Sequence, residues 1–111
     1  MKKYQIGEFE EVVLLTVGVL YDEAYGVSIK MEIANRLNRK VSVGALQSAL
    51  RRMEKKGYLT SREGPSTEQR GGRPKRYFNI TALGKKVLEY SRETRFVLWN
   101  AIPEVAFDKK W

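Results

Sequence analysis

Gln47, Ser48 and Arg51 fall within little more than one helical turn of one another, and an amide, a hydroxyl and a guanidinium so spaced form hydrogen bonds rather than break covalent ones. A Gln amide pairs with adenine edges, a guanidinium reaches guanine or phosphate, and a hydroxyl serves either. Ser42 and Gly44 precede them and are small enough to let a helix lie close to what it reads. Covalent chemistry has little to draw on, because the chain holds no Cys, no His, only Asp22 and Asp108 as aspartates, and eleven Glu mostly set beside Lys or Arg. Zinc centres, thiol nucleophiles and His-based triads are thereby excluded from within the chain, and no acid/base pair or metal-ligand cluster stands at a reactive spacing. No catalytic residue and no cofactor are assigned, and an enzyme is not expected.

The charge is strongly localised. Residues 1–34 carry 3 Lys/Arg against 6 Asp/Glu and residues 87–111 carry 4 against 4, whereas residues 35–86 carry 14 against 3 and so account for the net charge of +8. A solvated surface spreads its cations more evenly, and this concentration is the electrostatic footprint of a polyanion partner. Beyond the Gln47 region, the cations of that segment gather at Arg70, Arg73, Lys75 and Arg76, with Lys40 and Arg52 as weaker phosphate candidates. Gly71 and Gly72 beside Arg70 and Arg73 let a backbone approach a phosphate chain closely. A nucleotide-cradling loop is not implied, since the Gly-Lys-Ser/Thr ending is absent and Pro74 removes an N–H donor.

These residues need elements to hold them. At 111 residues, 42% hydrophobic and 31% charged, the chain fits one globular domain. Its longest apolar run, Val12 to Tyr21, is broken by Thr16 and Gly18 and falls short of the ~20 residues of a membrane span. The Met1-Lys2-Lys3 start leads into Glu8, Glu10 and Glu11 rather than an apolar stretch, so no secretory signal is read and a cytoplasmic location is expected.

Periodicity predicts a first helix from Glu8 to Tyr21 with Phe9, Val12, Val13, Val17 and Leu20 on one face. Leu14, Leu15 and Val19 lie off that stripe and imply a second covered side, with another protomer as the cover. A second helix opens at Gly26, repeats Ile29, Ile33 and Leu37, and ends near Asn38. Ser42 is placed to cap a third helix that runs toward Gly57, with Val43, Leu46, Ala49, Leu50 and Met53 facing inward. The opposite face of that third helix carries Gly44, Gln47, Ser48, Arg51 and Lys55, a pattern an ordinary solvated face also produces. The residues after Gly57 favour a reading helix: Tyr58–Glu63 and Lys75–Ile80 alternate as paired strands, with Leu59, Phe78 and Ile80 inward and a basic connection between them.

Thr81 is placed to cap a last helix reaching Ala101, about 31 Å at 1.5 Å per residue and longer than so small a core can cover. Leu83, Val87, Tyr90, Thr94, Val97 and Ala101 repeat in steps of four and three, widened by Leu88, Leu98 and Ile102, as in a helix that pairs with another helix. Phe107 and Trp111 come after Pro103 and are expected to fold back on a neighbour. A homodimer through the first and last helices is expected, and Phe96 with Trp99 are candidates to line a cavity for a flat aromatic ligand. The fold class is mainly α with a small β-hairpin, with residues 1–80 forming the nucleic-acid-binding part and 81–111 the dimerisation helix and tail. Two functions fit this pattern: a sequence-reading regulator on double-stranded DNA, or an adaptor whose basic face docks an acidic protein.

The chain resembles the PadR family of bacterial transcriptional regulators. The resemblance rests on Glu8-Phe9-Glu10-Glu11-Val12-Val13-Leu14-Leu15, Ala24-Tyr25-Gly26-Val27, Ser42-Val43-Gly44-Ala45-Leu46 and Arg52-Met53-Glu54-Lys55-Lys56-Gly57-Tyr58-Leu59, completed by Arg70 to Phe78 and Thr81-Ala82-Leu83-Gly84. It implies a winged helix-turn-helix, a dimer held by the C-terminal helix, and repression lifted by a small molecule or phenolic compound. Gln47 stands where many relatives carry Tyr, a departure that bears on which operator is read.

Overall fold

The computed structural model describes residues 5–66 and 74–108. Arg70, Gly71, Gly72, Arg73 and Trp111 lie outside the described residues. Helix α1 (Glu8–Leu20) begins with Glu8, Glu10 and Glu11 in its first turn, where carboxylates complement the positive end of the helix dipole. It stops at Tyr21, whose φ of 52° breaks the helix one residue before the predicted end. A 3₁₀ turn (Tyr21–Glu23) leads into α2 (Gly26–Leu37), closed by Asn38 in the left-handed conformation. The Ser28 hydroxyl accepts from the Tyr25 N–H at 2.9 Å and so caps the first turn of α2.

Helix α3 (Val43–Lys55) starts at the predicted cap, with the Ala45 N–H donating to Ser42 Oγ at 3.1 Å. Its exit turns at Gly57, where φ is 87°, a conformation costly for any residue with a Cβ. Strands β1 (Leu59–Ser66) and β2 (Pro74–Ile80) pair antiparallel, with Leu59 opposite Ile80 and Glu63 opposite Arg76. Strand β1 outruns the Tyr58–Glu63 alternation because the ladder resumes at Ser66 opposite Pro74 after an irregularity beyond Glu63. Helix α4 (Ala82–Ala101) is capped as expected, the Gly84 N–H donating to Thr81 Oγ1 at 3.0 Å. A single turn, α5 (Val105–Asp108), completes the described chain.

The core gathers Val13, Leu14 and Val17 of α1, Ile29 and Ile33 of α2, Leu46, Ala49, Leu50 and Met53 of α3, and Leu59, Phe78 and Val87. Tyr58 belongs to it as well. Leu14, placed off the main stripe by the sequence, is fully buried within the single chain, because α1 runs through the centre and packs on α2, α3 and β2 at once. Leu15 and Val19 remain exposed and keep the second apolar side of α1 uncovered. Val43, predicted to face inward, is 61% exposed in the first turn of α3, whose buried stripe is complete from Leu46 onward, and Leu37, which ends the apolar repeat of α2, is half exposed. No helix among the described residues is long and apolar enough to cross a membrane.

Candidate nucleic-acid interface

The hairpin is fastened beside the start of α2 rather than left to swing. The Phe78 N–H donates to the Ala24 carbonyl at 2.8 Å, and Tyr77 forms an isolated antiparallel bridge with Tyr25. The two tyrosine rings meet edge to face at 5.4 Å, Lys75 Nζ lies 4.2 Å over the Tyr25 ring, and the Arg62 guanidinium lies 4.9 Å over the Tyr77 ring. Aromatic faces thus hold two of the hairpin's cations in fixed positions.

The other side of the hairpin is braced to α3. Arg76 donates to Ser61 Oγ at 2.9 Å, Ser61 donates to Glu54 of α3 at 2.7 Å, and Arg76 also pairs with Glu63 across the ladder at 3.3 Å. Between α2, α3 and β2 lies a cavity of about 210 Å³ whose walls include Tyr25, Val27, Lys30, Val43, Gln47 and Lys75. Gln47 is half-buried there, close enough to α2 that a Cβ on Gly26 would come within 3.1 Å of its amide nitrogen.

The structure sets part of the predicted residues along one side of α3 and joins Gln47 to Lys75 and Arg76 around one cavity. Gly44, Gln47, Ser48 and Arg51 succeed one another along α3, with Ser48 Oγ accepting from Arg51 at 3.5 Å and open space around Gly44. Ser42 caps that helix, and Lys75 and Arg76 stand beside it on β2. Arg52 is directed elsewhere: its Nε donates to Glu10 of α1 at 2.7 Å, and Lys56 reaches the same carboxylate at 3.5 Å. Sequence reasoning misses Lys30, which lines the cavity with Gln47 and a second groove with Lys40. Its placement one turn into α2 is the available signal. The link into α3 is secured as well, because Arg39 forms two hydrogen bonds, at 2.8 and 3.1 Å, with Glu8. This bonding draws the Glu8 carboxyl below its ordinary pKa and raises that of Arg39.

A second opening lies between α1 and α4. Phe96 and Trp99, 60% and 65% exposed, line an open groove of about 1020 Å³ with Leu15, Leu88, Leu98 and Ile102. Trp99 is also in contact with Phe107 at 5.8 Å, so the tail folds back onto its own helix. Among the described residues no group of carboxylates gathers that could hold a metal ion.

Compared with known proteins, residues 14–90 match the transcriptional regulator PadR-like family. A PadR family transcription regulator from Clostridium difficile is 32% identical, with 78% of this chain and 88% of that one covered and a TM-score of 0.56. A PadR-like transcription factor from Bacteroides fragilis is 25% identical over 90% of this chain and 88% of its own, with a TM-score of 0.72. A transcriptional regulator from Clostridium thermocellum is 25% identical over 85% of this chain and 92% of its own, with a TM-score of 0.65. No curated protein sequence matches significantly.

Proposed function

The chain belongs to the PadR-like family of transcriptional regulators, and from that premise we propose that it is a homodimeric repressor that reads duplex DNA in the cytoplasm and is released by a small aromatic effector. The observation that carries this reading is one side of α3, where Gln47 lines a cavity with Lys30 of α2 and Lys75 and Arg76 of the hairpin, and Ser48 and Arg51 follow along the same helix. In a major groove, Gln47 and Ser48 meet base edges and Arg51 meets guanine or phosphate. Gly44 leaves room for close approach. Lys75, braced Arg76, Arg70 and Arg73 hold the backbone, with Lys30 and Lys40 flanking. Arg52 serves the head indirectly, by tying α3 to Glu10.

Residues 1–80 form the reading head in this proposal, and residues 81–111 the pairing arm. Two arms packed together cover Leu15, Val97 and Leu98, and the groove at Phe96 and Trp99 becomes a chamber between protomers that suits a flat apolar ring. Paired heads entering successive major grooves place the half-sites about 34 Å apart.

The test is selection from a randomised duplex library by the purified protein, followed by anisotropy at increasing salt. Enrichment of a two-fold symmetric site, with affinity over a scrambled duplex retained at moderate salt, is the expected result. Binding that is equal on all duplexes and falls steeply with salt would refute sequence reading, and no duplex binding at all would favour an acidic protein as the partner. For Gln47→Ala, about 1–3 kcal/mol of discrimination should vanish at one base pair while affinity for random DNA holds.

A further inference from the structure

Val43 and Val27 have no role in the core, and they lie where a base-reading surface would be. Val43 is 61% exposed and Val27 is 49% exposed, each in the first turn of its helix. Both line the cavity that holds Gln47, and Val43 precedes Gln47 by four residues, so the two project from the same side of α3. The buried stripe of α3 closes without Val43, since Leu46, Ala49, Leu50 and Met53 are each exposed by 1% or less.

Half-exposed valines on a surface that also carries Lys30, Lys75, Arg76 and Gln47, with no carboxylate in its lining, fit a partner that is anionic along its backbone yet offers methyl groups. In duplex DNA the major groove offers one such group, the C5-methyl of thymine. Charge favours this occupant, because the lining carries Lys30, Lys75 and Arg76 and no carboxylate, and duplex DNA presents an unbroken row of phosphates beside its groove methyls.

We propose that Val43, with Val27 beside it, is a specificity-determining residue that contacts a thymine methyl next to the base pair read by Gln47. This inference rests on the proposed DNA-reading function. Amide and valine then read an adenine and a thymine as one unit, the amide by hydrogen bonds and the valine by exclusion of water from a methyl. Uracil differs from thymine only by the methyl, so the contact can be removed from the DNA without touching any hydrogen bond.

The experiment uses the full-length protein and the duplex enriched from the randomised library, with each thymine replaced in turn by deoxyuridine. Removing a buried methyl should lower affinity about three- to fivefold at one thymine per half-site and have no effect elsewhere. In Val43→Ala, an exposed change that leaves the core intact, the same substitution should cost nothing. The proposal is overturned if no thymine is sensitive to loss of its methyl, or if the sensitive position stays equally sensitive in Val43→Ala. Failure to enrich any sequence would bring down the DNA-reading function itself, and this inference with it, and is recognised before any deoxyuridine duplex is made.

Discussion

Glu8 accepts two hydrogen bonds from Arg39, and its carboxyl is held below the ordinary glutamate value by that guanidinium. Because the folded value lies below the unfolded one, the link stabilises above the usual carboxylate range and is lost as pH falls through the lowered value. Arg39, its own value raised, stays charged throughout. Thermal denaturation should therefore show the wild type losing slightly more stability than Glu8→Gln between neutral pH and about pH 3.5, a small difference because the pair is exposed. A larger effect belongs to Gly84. A Cβ there would drive into the carbonyl of Tyr58 and lie 2.9 Å from Ile80. Gly84→Ala should lower the urea midpoint by an amount worth about 1–3 kcal/mol, with an unchanged slope. Single residues are unevenly legible in the sequence. Ser42 and Thr81 stand out as caps because a hydroxyl before an apolar period has few other uses, whereas the exposure of Val43 is hidden, because helical periodicity cannot tell the first turn of a buried stripe from an exposed turn that precedes it. Arg52 adjoins Arg51 in the chain but lies off its face, and its pairing with Glu10 of α1 is a contact that the helical period does not disclose.

The hairpin's orientation depends on side chains whose partners are distant in sequence, so it is the least legible part of the fold. Alternation locates both strands and their inward residues Leu59 and Phe78. It gives no sign of the Tyr25–Tyr77 contact on one side or of the Glu54–Ser61–Arg76 brace on the other. The brace carries its own prediction. In Ser61→Ala the bridge between Arg76 and α3 is gone, at a cost of about 1 kcal/mol, and amide exchange in residues 59–66 and 74–80 should quicken about fivefold while α1 and α2 exchange as before. Uniform exchange across the two proteins would mean that the backbone bridges to Ala24 and Tyr25 suffice to hold the hairpin.

The chain is far from spherical. Its radius of gyration is 17.1 Å and its extents are 60 × 29 × 21 Å, against about 13 Å for a compact chain of this length. The excess is the arm: α4 buries Gly84, Val87 and Ser91, and every residue from Arg92 to Asp108 is exposed. The arm's length, its repeat and the fact that it outruns the core are plain in the sequence, but the point where coverage ends, at Ser91, depends on packing that no periodicity encodes. Leu98→Glu places a charge in the strip proposed to meet the second copy, so sedimentation should report a monomer where the wild type sediments as a dimer, with circular dichroism unchanged. Dimers persisting in that variant would move the pairing surface elsewhere. Apart from the tie between Arg95 and Glu11 at 3.2 Å, the described residues beyond Ser91 add no buried side chain to the head. Mutations in that distal stretch are therefore nearly invisible to the folding of the part that carries Gln47, and the two ends of the chain can diversify at different tempos. Under the function proposed above, a lineage of such proteins could change the signal it answers to while keeping the genes it governs, with few of the folding penalties that tie distant residues together in a rounder molecule.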